Sequence, residues 1–174
     1  MRISWRKGAD RNKSVERILT FQEGYSMTKT ELKELLSGIL DAETVKLDSP
    51  SEDDWQALEA RFKTTFPAEF KIFIELMSEF SFPGDIYNVT DFARGNGNDS
   101  IWVVYENEIL HSNWPESLVP FYGIGNGDYF ALNAREGKDS AVYYRCHESG
   151  RIEKYCFSFE DWLNKLPAFL KGKS

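Results

Sequence analysis

The sequence predicts an α+β fold: helices packed on a twisted, mostly antiparallel β-sheet, with a closing C-terminal helix. Three observations predict it. Apolar residues recur at helical spacing between 28 and 80. From about residue 85 the period shifts towards two, with β-branched and aromatic residues between Asn-Gly, Glu-Gly and Ser-Gly pairs. Near the end, CFSFEDWLNKL returns to helical spacing. At 174 residues, 41% apolar and 15% aromatic, the chain suits a domain with a real core and an appendage. The expected division is an N-terminal extension at 1–49, holding one helix at about 28–40, and a main domain at 50–174.

Residues 1–26 have few regularly spaced apolar positions and read as a loosely packed arm, with Met27 placed as an alternative start. From Thr28 to Leu40, Leu32, Leu35, Leu36, Ile39 and Leu40 mark one side of a helix, and Gly38 weakens its last turn. The stretch PSEDDWQALEARF at 50–62 is a stronger start, with Ser51 as N-cap, Asp54 at the third helical position and Pro50 stapled on Trp55. Glu52, Asp53 and Asp54 fill the first turn, where the helix dipole favours acids. In FPAEFKIFIELMSEF, 66–80, Pro67 sits in a first turn and Phe70, Phe73, Ile74 and Met77 form an apolar stripe. Strands are expected at Asp85–Val89, Ile101–Glu106, Leu118–Gly123, Asp128–Asn133, Ala141–Arg145 and Glu153–Phe157. The last helix opens on Ser158, with Asp161 at the third position and Phe157 stapled to Trp162. Phe159, Trp162, Leu163 and Leu166 then face inward until Pro167 strains or stops the helix.

Composition excludes several function classes. The longest apolar runs, such as IWVVY at 101–105, are too short to span a bilayer, and the charged start leads into no secretory signal. Cys146 and Cys156 make a poor disulfide framework and fit a reduced, cytoplasmic protein, with a pairing across neighbouring strands left open. Of the net charge of −7, residues 1–27 contribute six Lys/Arg against three acids, so the remaining 15 Lys/Arg and 25 Asp/Glu give −10. That body disfavours direct nucleic-acid binding, because neutralising phosphate needs the opposite sign. An acidic exterior serves solubility in some domains and attracts a basic partner in others, and charge alone leaves both open.

The stretch GIGNGDYFALN at 123–133 raises the question of a phosphate or metal loop. A phosphate loop needs a strand leading into a helix N-terminus, whereas here a strand follows and no GK[ST] occurs. Asn126-Gly127 instead reads as a hairpin turn with positive φ at both residues, and RGNGNDS at 94–100 likewise. Asp128 is expected to accept hydrogen bonds inside the turn. His111 and His147 lie far apart, and Cys146, His147 and Cys156 lack a fourth ligand, so no metal and no cofactor are expected. Neighbouring Cys146 and His147 on a strand would point to opposite faces, which argues against a catalytic dyad. Glu106, Glu108, Asp128, Asp139, Glu148 and Glu153 show no spacing that demands acid–base roles. Trp55 and Trp162 lie on core faces, while an exposed Trp102 or Trp114 would be an interface candidate.

Taken in order, four pieces resemble the SUKH superfamily, the SMI/KNR-type domain of bacterial immunity proteins and fungal cell-wall regulators. They are Phe66-Pro67-Ala68-Glu69-Phe70 with Phe73 and Ile74; Val119-Pro120-Phe121 leading to Ile124-Gly125-Asn126-Gly127-Asp128-Tyr129; Val142-Tyr143-Tyr144 leading to His147; and Ser158-Phe159-Glu160-Asp161-Trp162-Leu163. The resemblance covers about 50–170, with Phe66 where the family usually has Leu and Ser81-Phe82-Pro83-Gly84 where Gly-Gly is common. It implies a non-enzymatic immunity protein that neutralises a cognate toxin, often a basic nuclease, with no membrane partner. Acidic side chains would cover the toxin's nucleic-acid cleft. The candidates by charge and placement are Asp53, Asp54, Asp85, Asp99, Glu106 and Asp128, with Trp102 or Tyr122 as apolar anchor. The alternative is an intracellular regulatory or scaffold module binding signalling or cell-wall partners. An enzyme using the Gly-rich turns is the remaining rival, for which Asp128→Asn would abolish turnover without unfolding.

Overall fold

The computed structural model describes residues 27–43, 49–90 and 99–172. The arm expected at 1–26 and most of the turn expected at 94–100 lie outside the described residues.

Helix α1 (Lys29–Ser37) starts at Thr28, whose hydroxyl accepts from the Glu31 amide while the Glu31 carboxylate accepts from the Thr28 amide. Gly38 caps its other end. Leu32 and Leu36 are buried in the main core, and Lys29–Glu75 (2.8 Å) and Lys33–Glu79 (2.6 Å) hold the helix along the segment after residue 67. The helix expected in an N-terminal extension therefore packs into the main body. A short strand β1 (Asp41–Ala42) follows. Helix α2 (Glu52–Phe62) carries the expected capping box between Ser51 and Asp54, and α3 (Ala68–Leu76) takes Pro67 as its N-cap. Strand β2 (Phe80–Ser81) pairs antiparallel with β1.

The main sheet comprises β3 (Asp85–Ile86), β4 (Leu118–Gly123), β5 (Tyr129–Asn133), β6 (Val142–Arg145) and β7 (Ile152–Cys156), in chain order and antiparallel throughout. Between β3 and β4 the chain forms helix α4 (Ile101–His111), and α5 (Phe159–Lys171) closes the fold. The strand expected at Ile101–Glu106 is thus a helix. Its eleven residues hold no Gly or Pro and run too long for a typical strand. Ser100 N-caps it through the Val103 amide, and Ile101 and Val104, one turn apart, are both buried. Burial and capping here override β-branched propensity.

Pro167 does not stop α5, which continues to Lys171. Phe157 is 82% exposed, so it forms no staple with the buried Trp162. Ser158 nevertheless caps the helix by accepting from the Asp161 amide.

Two β-bulges decide which side chains enter the core. The β4–β5 register pairs Pro120 with Ala131 and then Tyr122 with Phe130, so Phe121 is an extra residue. Phe121 and Tyr122 consequently both pack on Trp162, with ring centroids 5.2 and 6.3 Å away. Tyr155 is the extra residue of β7 and packs 5.0 Å from Phe130. Trp162 sits among Phe73, Phe121, Phe130 and Phe159 at 5.2–5.6 Å, mostly edge-to-face. Ala131 alternates with core residues Phe130 and Leu132 and so faces the other side of the sheet. There it joins Trp114 and Leu118 in a second cluster, against which Tyr105 and Ile109 of α4 pack.

Candidate functional site

The structure divides the predicted contact residues into two groups. Tyr122 and Asp128 are 1% and 4% exposed, so neither offers surface to a partner. The bulge turns Tyr122 into the aromatic core, where its hydroxyl donates to the Pro83 carbonyl at 2.6 Å. Burial, with Asp85 nearby, pushes its pKa up to about 12.

Asp128 ends the β4–β5 loop, in which Gly125 and Gly127, rather than Asn126 and Gly127, adopt positive φ, each +89°. The loop closes through the Ile124 amide on the Asp128 carbonyl. Oδ1 of Asp128 lies 2.8 Å from both the His147 amide and its ring Nδ1, while Oδ2 accepts from Asn126 Nδ2 (2.8 Å) and the Tyr144 hydroxyl. Burial alone would raise the carboxyl pKa, but the hydrogen bonds from Tyr144, His147 and Asn126 outweigh it and hold the group well below the usual range. Burial, and then the same pairing, push the Tyr144 hydroxyl up. The constellation ties loop to strand and engages both carboxylate oxygens of the buried Asp128. Strand β6 ends at Arg145, so Cys146 and His147 lie in the following turn and strand alternation does not separate them. Instead the His147 ring is turned onto Asp128 and Gly127, where a Cβ would come within 2.9 Å of ring Cγ. Cys146 and Cys156 are both free thiols; burial and Asp161 push Cys156 up to about 11, and Ser149 lowers Cys146. Among the described residues no three His, Cys, Asp or Glu side chains converge as a metal set.

The remaining candidates lie on the surface, and helix α4 gathers three of them. Asp99 is exposed just before its first turn, Trp102 is half-buried, and Glu106 is exposed one turn later. Leu110, which sequence reading missed, continues the row at 74% exposure. Positions 102, 106 and 110 share one side of a helix, so the outward face of α4 alternates aromatic, acidic and aliphatic groups. Trp102 is held rather than loose: its ring meets Phe62 at 5.3 Å and Tyr105 at 5.5 Å, with the Arg61 guanidinium 5.2 Å from its centroid. Asp53 is exposed and Asp54 half-buried at the far end of α2, and Asp85 is exposed on β3, so these three do not join the α4 row.

Both ends of α4 are fixed. The Ile101 amide donates to Asn88 and the Asn88 amide to Asp99, at 2.8 and 3.0 Å. Near the other end, Glu108 accepts from Tyr129 (2.9 Å) and Ser112 (2.7 Å) and pairs with Arg145 at 3.3 Å. Arg145 is itself buried against the Trp114 ring. Burial and the Glu108 hydrogen bond push Tyr129 up to about 12. This network of partly buried polar contacts positions the helix. A Gly/Pro-free run beginning at Ser100 was the signal that could have revealed α4 and, with it, Leu110.

Comparison with known proteins adds three findings. The family described as SUKH_5: SMI1-KNR4 cell-wall matches residues 30–169, taking in α1 as well as the sheet. No curated protein matches the chain. A solved structure titled "Crystal structure of protein from Pseudomonas syringae pv. tomato" is similar in fold, with a TM-score of 0.58 and 19% identity over 79% of this chain and 96% of the other.

Proposed function

The chain belongs to the SUKH_5 (SMI1-KNR4 cell-wall) family, and from that premise we propose that it is a non-enzymatic immunity protein that binds and neutralises a cognate protein toxin. The observation that carries this reading is the outward row Trp102, Glu106 and Leu110 on a helix fixed at both ends. An aromatic anchor beside an aliphatic one, with carboxylates around them, suits a basic protein surface such as that of a nuclease. The net charge of −10 over residues 28–174 would speed that encounter. Inhibition is steric and electrostatic: the acids of this face cover the cleft that would otherwise hold phosphate. It acts in the cytoplasm, where both thiols stay reduced.

The test is co-expression with the product of the adjacent gene, read by growth and co-purification. A neighbour that kills alone, is harmless with this protein and co-purifies one-to-one supports immunity. Loss of protection in Glu106→Lys and Leu110→Glu, with the fold retained, would place the contact on α4. Protection unchanged by both variants rejects this face. The family's cell-wall description favours one second reading, a regulatory scaffold, which would hold its partners more weakly and exchange them.

A further inference from the structure

A groove of about 680 Å³ lies between the C-terminal end of α2 and the turn joining β5 to β6. Glu59, Lys63 and Thr64 line one wall, and Arg135, Glu136 and Lys138 the other. The Thr64 hydroxyl donates to the Ala134 carbonyl at 2.8 Å, which pins the walls together. Both carboxylates are engaged elsewhere. Glu59 accepts from the Phe66 amide and pairs with Lys71 at 2.9 Å. Glu136 accepts from the Tyr143 hydroxyl at 2.5 Å and the Ala141 amide at 2.9 Å. Lys63, Arg135 and Lys138 are exposed, and their side chains make no ion pair among the described residues. With Glu59 neutralised by Lys71 and Glu136 held by neutral donors, three exposed cations line one groove against a single uncompensated carboxylate, on a body that is acidic as a whole.

The backbone at one of these positions allows a clean test. Lys63 has φ +52° and is the one described non-glycine residue with positive φ. Glycine is the usual residue at a left-handed helix end, because a Cβ is disfavoured there. The backbone at Lys63 therefore accepts glycine without strain, so Lys63→Gly removes the side chain and spares the fold.

We propose that this groove docks an acidic, Asp/Glu-rich segment of a partner protein. The Arg135 guanidinium can take a carboxylate as a two-pronged fork, and the two lysine ammonium groups pair with further carboxylates as point charges. A nucleic acid running beyond the groove would instead meet the acidic exterior, which opposes it. The proposal does not depend on the partner being a toxin.

The experiment is fluorescence anisotropy of a short labelled oligoglutamate peptide at low salt, with a single-stranded oligonucleotide of equal charge as comparison. Peptide binding is expected, weakened by salt and reduced about tenfold or more by the exposed double change Arg135→Glu, Lys138→Glu, whose circular dichroism stays native. Lys63→Gly should weaken binding about threefold while its melting temperature stays level or rises, which a merely structural role would not produce. No peptide binding, binding indifferent to the three positions, or tighter oligonucleotide binding with the same sensitivity would overturn the proposal.

Discussion

Oδ1 of Asp128 receives the backbone amide and the ring Nδ1 of His147 at 2.8 Å each, joining the β4–β5 loop to the turn after β6. With Tyr144 and Asn126 on the other oxygen, the buried carboxylate is engaged through both of its oxygens. Asp128→Asn puts an amide nitrogen among those donors and removes the charge they stabilise. It should cost about 2–4 kcal/mol, measured by urea denaturation. A variant as stable as the parent would mean that these bonds contribute little.

Acid should act through the same residue. The carboxyl pKa of Asp128 is lower in the folded state than in the unfolded chain, where about 4 is usual. Its contribution is therefore complete above the unfolded value and is lost as pH falls through that value towards the folded one. Asp161, also lowered despite burial by Lys165 and the Phe157 amide, adds to the same slope. The urea midpoint should hold between about pH 7 and 5 and fall below that. In Asp128→Asn the acid slope should be shallower; an unchanged slope would assign it to other carboxylates.

Helix α5 carries Pro167 in its interior, where no amide is available for the preceding turn. Pro167→Ala is expected to raise stability by about 1–3 kcal/mol, read as a higher urea midpoint. A decrease would show that the half-buried ring packs more than its missing hydrogen bond costs.

Gly84, at φ +86°, lies where a Cβ would come within 2.6 Å of the Gly123 carbonyl oxygen and 2.9 Å of the Tyr122 ring. Gly84→Ala should lower stability by about 2 kcal/mol or more, since both strain and contact oppose it. Thermal melting of the two proteins side by side checks this.

On α4, stability and binding should separate. Leu110→Ser changes an exposed side chain and should leave stability within about 0.5 kcal/mol while reducing partner capture. Trp102→Ala should lower both, because the ring also packs on Phe62 and Tyr105. Equal capture by all three proteins would remove α4 from the interface.

Local chemistry made much of this fold readable. Ser51 with Asp54, and Ser158 with Asp161, announce helix starts because a hydroxyl or carboxylate within three residues satisfies amides the helix leaves open. The Gly-rich loop before Asp128 reads as a turn for the same short-range reason. The stretch IWVVY misleads because its β-branched and aromatic residues suit either a strand or a buried helix, and the unbroken run after Ser100 together with the burial of Ile101 and Val104 decides. Tyr122 misleads because a single extra residue in β4 reverses the face that alternation assigns it.

What the sequence determined by itself is the class of fold, most helix starts, the strand order's dense meander and the acidic balance, since these follow from spacing, capping and composition. The tertiary structure alone decided which carboxylates are surface and which are structural. Asp128 and Glu106 are the same chemistry in the sequence. One meets Tyr144 of β6 and His147 of the turn after it, 16 and 19 residues away, and the other meets solvent. Burial of a charge depends on donors brought from distant parts of the chain, and no local pattern encodes their arrival.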